Sequence, residues 1–383
     1  MNYFKVANSM INYNLSIYFV IFLIGFLPIQ SYAQSNTQVE IGVGALWLDL
    51  PESTPFVEVN GAEEVLGFID NYDTTDKAAP LLTFSIDNNT DTSHINFSGF
   101  FSQLNTRDSK EYSGDRGSWT TTAETCGVPF GDGIPQCLSD AISANPDNFR
   151  LLGWVGAIDG SALRGTPNFA WGDPIHITTK RNMKFFGMDL TSKALTRKQG
   201  ISIGPSYQRL IQKTDIYAYE SNRKPDVNYT SLTEKLDASY YGGAIKIDSD
   251  IELNQSIRFS AKGSLGFYYL DSKYRGTQLT YLSASALDPD ITINPAITVN
   301  PDLNINDDRF ALTAQLNMLV SYAYSEDIDF NINAGIRYLS HVPYIRYVDK
   351  GAVLEGGSTH NPAYIDYKHA LGYQISWSAN WRF

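Results

Sequence analysis

The sequence has few charged residues, cysteines and histidines for its length. Its 383 residues include 18% charged residues, five histidines and two cysteines, whereas soluble domains average about 25% charged residues. The net charge of −12 argues against a nucleic-acid partner, because phosphates require clustered lysine and arginine. No cysteine has a histidine near it that could complete a metal-ligand set, so the sequence predicts no metal and no cofactor.

Long apolar runs are also scarce, and the only one lies at the N-terminus. Lys5 precedes a run of mostly apolar residues at 15–29, and a short segment ending in Ala33 follows. This order predicts a secretory signal peptide over residues 1–33. Residues 34–383 contain no run of about 18 apolar residues, so a membrane function would require strands rather than helices.

Aromatic residues and glycine are abundant, and apolar residues alternate with polar ones in the last third of the chain. There are 24 Tyr, 20 Phe, 6 Trp and 29 Gly. A period of two runs through 257–269, 310–324, 328–338 and 371–383. Because successive side chains of a strand point to opposite faces, each segment predicts a strand with one apolar face. The lengths suit the roughly 9 to 11 residues that a tilted strand needs to cross a bilayer.

Six weaker segments complete a predicted all-β fold, a transmembrane antiparallel up-and-down β-barrel of ten strands. The connections alternate in length, which predicts short periplasmic turns and long extracellular loops, among them 220–235 and 271–307. In the longest loop, 105–179, Cys126 and Cys137 are predicted to form a disulfide. Twelve strands are the alternative, if this loop contains a hairpin near 151–158. The six weaker segments are 39–50, 80–87, 95–104, 180–195, 200–219 and 236–248.

The chain ends in phenylalanine, with aromatic residues at alternate positions before it. Tyr373, Trp377, Trp381 and Phe383 share one face of the last segment. This ending resembles the C-terminal signal that the barrel-assembly machinery of Gram-negative bacteria reads. The resemblance implies insertion into the outer membrane, with lipid and lipopolysaccharide as surrounding partners.

If the apolar faces meet lipid, the opposite faces line the barrel interior. A Lys or Arg turned to lipid at the midplane costs about 2–4 kcal/mol, which fixes the assignment of faces. The interior is then expected to be basic on balance, which favours a water-filled path for small anionic solutes. A closed interior is the alternative. The interior of an eight-stranded barrel is filled by its own side chains, and a ten-stranded barrel is only slightly wider. The predicted lumen-lining cations are Lys246, Arg258, Lys262, Arg309, Arg337 and Lys368.

Two pairs of stretches resemble hairpins of the Legionella-type major outer membrane protein family. Residues 242–248 with 257–266 resemble its late hairpin, and residues 186–190 with 203–207 resemble an earlier one. The resemblance implies a surface-exposed, pore-forming barrel that can form homo-oligomers.

Two other functions stay open beside passive passage of solutes. The long loops suit a surface adhesin or binding protein. An omptin-like rim hydrolase would also be a ten-stranded barrel, and it needs an Asp pair and a His–Asp pair at the rim. Only His341 is well placed, on the inward face at an extracellular rim, and no aspartate adjoins it in the sequence. The sequence therefore predicts no enzyme.

Overall fold

The computed structural model describes twelve segments of the chain. Apart from Asn36 they all belong to one unit, Thr37–Phe383. The predicted signal peptide and the predicted disulfide lie outside the described residues. No helix in the described part of the chain is long and apolar enough to cross a membrane. The described segments are 36–53, 56–60, 65–68, 77–89, 94–112, 147–151, 168–169, 175–193, 200–220, 228–282, 296–347 and 363–383.

Ten strands form a closed antiparallel barrel, which confirms the predicted fold class and strand number. These strands are β1 (Asn36–Leu48), β4 (Ala79–Asn89), β5 (His94–Tyr112), β8 (Ile175–Lys193), β9 (Gly200–Glu220), β10 (Asn228–Glu252), β11 (Ile257–Leu282), β12 (Ala296–Ala323), β13 (Ile328–Tyr347) and β14 (Ala363–Arg382). Each overlaps the segment predicted for it. Strand β14 pairs with β1 and closes the sheet, with Gln38 opposite Arg382 and Leu48 opposite Gly372.

Among the described residues, four short strands lie in the predicted loops: β2 (Phe56–Asn60), β3 (Val65–Phe68), β6 (Asp147–Leu151) and β7 (Asn168–Phe169). They form a second, separate sheet in the order β3-β2-β6-β7. The alternative of twelve barrel strands is wrong, because the strand at 147–151 pairs within this second sheet and not within the barrel.

Short turns and the two chain termini of the barrel lie at the same end. The turns at 253–256 and 324–327 join β10 to β11 and β12 to β13. At this end the backbone N–H of Phe383 donates to the carbonyl of Thr37 at 2.9 Å. In bacterial outer-membrane barrels the short turns face the periplasm. The two ends of the barrel are therefore named the periplasmic end and the extracellular end.

Three strands are far longer than a bilayer requires. Strands β10, β11 and β12 have 25, 26 and 28 residues, against roughly 9 to 11 for a tilted crossing. The excess lies at the extracellular end, where the sequence predicted loops at 220–235 and 271–307. These two loop predictions are wrong for most of their length, because the strands continue as a sheet beyond the apolar pattern.

The polarity of the two faces reverses along strand β10. Toward the periplasmic end, Tyr241 and Ile247 are exposed on the outer face, while Lys246 lies on the inward row. Toward the extracellular end, Leu232 and Leu236 are buried on the inward row, and the outward positions between them are polar. Strand β10 therefore has an apolar exterior in one zone and an apolar interior in the next.

An aromatic row marks the boundary between these zones. Its members are exposed or half-buried, and they are successive cross-strand partners on β9, β10, β11 and β12: Tyr207, Tyr241, Tyr269 and Phe310. Near the periplasmic end, Tyr322 pairs with Phe330. Phe310 and Tyr322 are twelve positions apart on one strand, which is about 40 Å along the strand and about 30 Å along the axis of a tilted barrel. The apolar outer band is therefore about as tall as the hydrocarbon core of a membrane.

Candidate functional site

All ten barrel strands contribute a side chain to one apolar cluster inside the barrel. Within it, Phe185, Tyr240 and Leu270 are at most 1% exposed. The ring of Phe100 packs edge-on against Phe185, with centroids 4.8 Å apart. Side chains around a water-filled path would remain accessible, so this cluster closes the interior. It is named the apolar layer and includes Leu48, Leu81, Phe100, Phe185, Leu210, Tyr240, Leu270, Ala311, Val342 and Ala370.

A second apolar cluster lies beyond the apolar layer, toward the extracellular end. It draws on strands β8, β9, β10, β11, β13 and β14, and Leu303 and Ile305 of β12 pack against it. Its side chains lie inside the extension of the barrel above the aromatic row. The extended strands are therefore held together by an interior core, as in a soluble protein. The larger members are Ile177, Ile216, Leu232, Leu236, Tyr274, Ile345, Tyr347 and Ile365.

One carboxyl group is buried within this second cluster. Glu234 is 5% exposed, and the hydroxyl of Tyr274 donates to its Oε1 at 2.7 Å. The hydroxyl of Tyr347 donates to the same oxygen. Burial raises the pKa of Glu234 to about 7, although the Tyr274 hydrogen bond and the charge of Arg181 act in the opposite direction. Glu234 lies seven positions beyond Tyr241 on β10, above the apolar outer band.

The chemistry open to Glu234 is limited by its surroundings. A carboxyl group with a pKa near 7 is suited to acid–base work. Such work requires contact with a substrate, and two tyrosine hydroxyls and the packed apolar cluster enclose this group. In this arrangement Glu234 links three strands of the interior and is closed to solutes.

Toward the periplasmic end the interior is polar, and two of the predicted lumen cations lie there in contact with other side chains. The Nζ of Lys246 lies 2.9 Å from Asp189 Oδ2 and donates to Ser98 Oγ at 2.9 Å. Arg337 is buried next to the apolar layer, where its Nη2 donates to Gln315 Oε1 at 3.0 Å. Each cation is thus paired or enclosed by protein groups.

Of three interior carboxylates that pair with cations, sequence reasoning placed Asp248 on an inward face and missed Asp189 and Asp329. Asp189 on β8 pairs with Lys246, and Asp248 on β10 lies 2.9 Å from the Nζ of Lys193. Near the periplasmic end Asp329 pairs with Arg382. The sequence did contain a signal for the inward position of Asp189, because this residue follows the same alternation as the neighbouring interior positions of β8. The expected positive balance of the interior is offset by these acidic partners.

Three further predicted lumen cations are more accessible. Arg258 and Lys262 are exposed on the inward row of β11, near the periplasmic end. Arg309 lies on the inward row of β12, beyond the apolar layer. Its guanidinium carbon lies 4.4 Å from the ring centroid of Tyr367, and its Nε donates to Asp307 Oδ2 at 3.4 Å.

Lys368 departs from the predicted interior row. The pairing of β13 with β14 shifts between Leu339 and Val342, and the buried positions of β14 change there from odd numbers (363 and 365) to even numbers (370 to 378). Lys368 lies at this change of phase. It is exposed, with its Nζ 5.0 Å from the ring centroid of Tyr344. The prediction assumed strict alternation along β14, and the change of phase beside the irregular pairing with β13 breaks that alternation.

The predicted insertion-signal residues follow the expected spacing on the outer face of β14. Tyr373 and Trp377 are about half exposed, and Phe383 is exposed at the end of the chain. Trp381 is paired between Val39 and Ile328. Their recognition by the assembly machinery stays a prediction.

The histidine considered for a rim hydrolase is engaged in other contacts. Its Nδ1 lies 2.7 Å from Ser340 Oγ, and the carbonyl of His341 accepts a hydrogen bond from Tyr240 at 2.8 Å. Within the described segments no carboxylate forms an ion pair with His341. Among the same residues, no group of three or more His, Cys, Asp or Glu side chains is arranged to hold a metal ion.

Known proteins resemble this chain only distantly. No family model and no curated protein matches the chain. Among solved structures, the outer membrane protease OmpT from Escherichia coli is similar with a TM-score of 0.42 and 8% identity, over 93% of this chain and 99% of that one. The CymD monoaromatic hydrocarbon channel has a TM-score of 0.26 and 10% identity, over 91% and 89% of the two chains. A Pseudomonas aeruginosa FadL homologue has a TM-score of 0.23 and 7% identity, over 91% and 90%. TM-scores this low support no argument about function, and the resemblance to the Legionella-type family stays a prediction.

Proposed function

We propose that this chain is an outer-membrane β-barrel with a closed lumen, which acts at the cell surface as a binding protein. The apolar layer carries the proposal. It draws on all ten strands, and members such as Leu270 and Phe185 are fully buried. A hydrophobic constriction excludes ions and water from a pore.

The outer-membrane location is supported by the outer surface of the barrel. Outward side chains such as Leu265, Phe267, Met318 and Trp377 are about half exposed. In a soluble protein so extensive an apolar surface would lead to aggregation. A lipid bilayer covers it, and a closed barrel satisfies all backbone hydrogen bonds within the membrane.

The surface role is supported by the part of the barrel above the aromatic row. Strands β10 to β12 continue there with polar outward residues around an apolar interior. The described strands of the second sheet also belong to segments between β1 and β4 and between β5 and β8. An ordered extension of this kind suits contact with other molecules outside the cell.

Passage of small solutes is the second candidate. It is favoured by the polar interior near the periplasmic end, where Arg258 and Lys262 are exposed on the inward row. Conduction would require the apolar layer to move aside. The pairing of Lys246 with Asp189 weakens the expected preference for anions.

Single-channel recording separates the two candidates. The full chain, purified in detergent, is added to a planar bilayer with potassium chloride gradients. We expect no discrete conductance steps from the native chain. A variant that thins the apolar layer, Phe185→Ala with Leu270→Ala, is expected to conduct, while an outward control, Leu265→Ala with Phe267→Ala, stays silent. Stable conductance steps from the native chain would reject the closed lumen and favour the pore.

A further inference from the structure

Three cations form an unbroken row on the outer face of the barrel, above the aromatic row. Lys235 on β10 is the direct cross-strand partner of Lys213 on β9 and of Arg275 on β11. All three side chains are exposed. Directly opposite residues in an antiparallel pair have Cβ atoms about 5 Å apart, and like charges there are destabilising. This row is named the basic ladder.

Nearby carboxylates compensate the ladder only in part. Lys213 lies 3.3 Å from Asp215, and Lys235 lies 3.6 Å from Asp237. Exposed pairs of this kind contribute only about 0–1 kcal/mol. Within the described segments, Arg275 makes no ion pair.

The carboxylate nearest to the centre of the ladder is already engaged. The Nε and Nη2 of Arg209 donate to the two oxygens of Asp237 at 2.8 and 2.7 Å. Partial burial raises the pKa of Asp237, but the hydrogen bond and charge of Arg209 and the charge of Lys235 outweigh it and hold the pKa below its ordinary value. Asp237 is thus fully charged and shared between Arg209 and Lys235, so it compensates the charge of Lys235 only in part.

The outward face around the ladder is therefore basic on a chain that is acidic overall. Its five cations face three carboxylates, whereas the whole chain carries a net charge of −12. The patch ends at β12, where Asp308 lies opposite Asp271. The five cations are Arg209, Lys213, Lys235, Lys273 and Arg275, and the carboxylates are Asp215, Asp237 and Asp271.

The height of the patch selects the kind of anion that can reach it. Lys235 lies six positions above Tyr241 on β10, which is about 15 Å along the axis of a tilted barrel. Arg209 lies two positions above Tyr207. A phospholipid headgroup region is only about 5–8 Å thick, so it reaches the lower cations and not the ladder. A phosphorylated sugar headgroup stands taller and can reach both.

From this geometry we propose that the basic ladder and its flanking cations bind the phosphorylated sugar headgroup of an outer-leaflet glycolipid. The inference rests on the proposed outer-membrane location. Guanidinium and ammonium groups form charge-assisted hydrogen bonds to phosphate oxygens. A phosphate placed between Lys235 and Arg275 replaces their mutual repulsion by attraction. The acyl chains of the same lipid would lie against the apolar outer band below, with the aromatic row at the interface.

Binding of lipid A, the diphosphorylated glycolipid anchor, tests the proposal. The full chain in detergent is titrated with diphosphoryl lipid A, with its dephosphorylated counterpart, with phosphatidylglycerol and with inorganic pyrophosphate. The native chain is expected to bind diphosphoryl lipid A at least tenfold more tightly than the other three probes. Equal affinity for pyrophosphate would identify a plain phosphate site, and equal affinity for phosphatidylglycerol a general anionic surface; either result overturns the glycolipid assignment.

Two sets of charge-removing variants locate the site. The ladder variant carries Lys213→Gln, Lys235→Gln and Arg275→Gln and is expected to bind diphosphoryl lipid A at least tenfold more weakly. A matched control removes three exposed cations elsewhere, through Arg258→Gln, Arg346→Gln and Lys368→Gln, and should bind like the native chain. Equal affinity of the ladder variant and the native chain would reject the site.

Folding and location are checked separately. Removing like charges relieves repulsion, so the lipid-free ladder variant is expected to unfold at the same temperature as the native chain or higher. A lower unfolding temperature would contradict the repulsion on which the inference depends. A chain that stays soluble without detergent would contradict the outer-membrane location itself, whereas a detergent-dependent barrel that ignores lipid A contradicts this inference alone.

Discussion

The two ends of the barrel interior differ in chemistry, although the same ten strands enclose both. Toward the periplasmic end, inward side chains such as Lys246 and Asp189 form ion pairs and hydrogen bonds. Toward the extracellular end, Phe185, Leu270 and Tyr274 are packed and inaccessible. The outer face changes in the opposite sense, from apolar to polar. Each zone therefore has one apolar face: the outer face toward the periplasmic end and the inner face toward the extracellular end.

This difference has a simple physical cause. In the zone that we propose to face lipid, apolar side chains are needed outside, so the interior can be polar as long as its groups are paired. Above that zone the outer face is polar, as it would be in water. There the interior must supply the burial of apolar surface that holds the strands together. The following substitutions test the contrast, from the largest expected effect to the smallest.

The largest effect is expected from truncation in the apolar layer. Phe185→Ala removes a side chain that is 0% exposed, which should lower the free energy of unfolding by about 3–5 kcal/mol. The matched change on the outer face is Leu265→Ala, at a position 53% exposed, with an expected loss within about 0.5 kcal/mol in detergent. Urea unfolding measures both. Similar losses would show that the interior is no better packed than the outer face.

A pH dependence is expected from the buried carboxyl group in the second cluster. The pKa of Glu234 is about 7 in the folded chain, against 4.5 for the free group. The folded state therefore favours the protonated form. The stability that Glu234 contributes is therefore fully present below about pH 4.5. It is lost as the pH rises through 7, and the total loss in the free energy of unfolding is about 3 kcal/mol.

The variant Glu234→Gln isolates this contribution from the other carboxylates. It keeps the shape of the side chain and cannot ionise. The difference in unfolding free energy between the native chain and the variant should change by about 3 kcal/mol between pH 4 and pH 8. A constant difference over this range would show that Glu234 is not buried as an acid.

A smaller effect is expected from the polar end of the interior. Among the described residues, Lys246→Met leaves Ser206 as the remaining hydrogen-bond donor to Asp189, and it should lower the free energy of unfolding by about 1–2 kcal/mol. The double variant Lys246→Met with Asp189→Leu should recover part of this loss. Additive losses in the double-mutant cycle would mean that the ion pair contributes nothing.

The smallest effect is expected at the exposed end of the same interior. Lys262 lies on the inward row of β11 but is exposed, so Lys262→Gln should change the free energy of unfolding by less than about 0.5 kcal/mol. A loss in the free energy of unfolding as large as that of Lys246→Met would show that the polar interior is packed all the way to the periplasmic end.

Much of the zone with an apolar outer face could be predicted from the sequence. The alternation in 257–269 and 328–338 identifies strands, their faces and their crossing length, because lipid outside and polar groups inside impose a strict period of two. All ten strands were found in this way, and Lys246 and Arg337 were placed on the inward row.

The extracellular zone was harder to predict for a physical reason. On β10 the apolar positions change from Tyr241 and Ile247 to Leu232 and Leu236, that is, from odd to even numbers. The change interrupts the period of two, so the continuation of the strand resembles a loop. A search for alternation that resumes in the opposite phase would have found the extended strands, the second cluster and Glu234.

The sequence by itself determined ten amphipathic strands, because a period of two needs only local backbone geometry and a two-sided environment. Only the tertiary structure decided whether the interior is open. That outcome depends on side chains from distant strands, such as Leu48, Phe185 and Leu270, meeting across the barrel. The register of the strands likewise brings the three cations of the basic ladder together. The sequence alone does not specify which residues of neighbouring strands lie opposite one another.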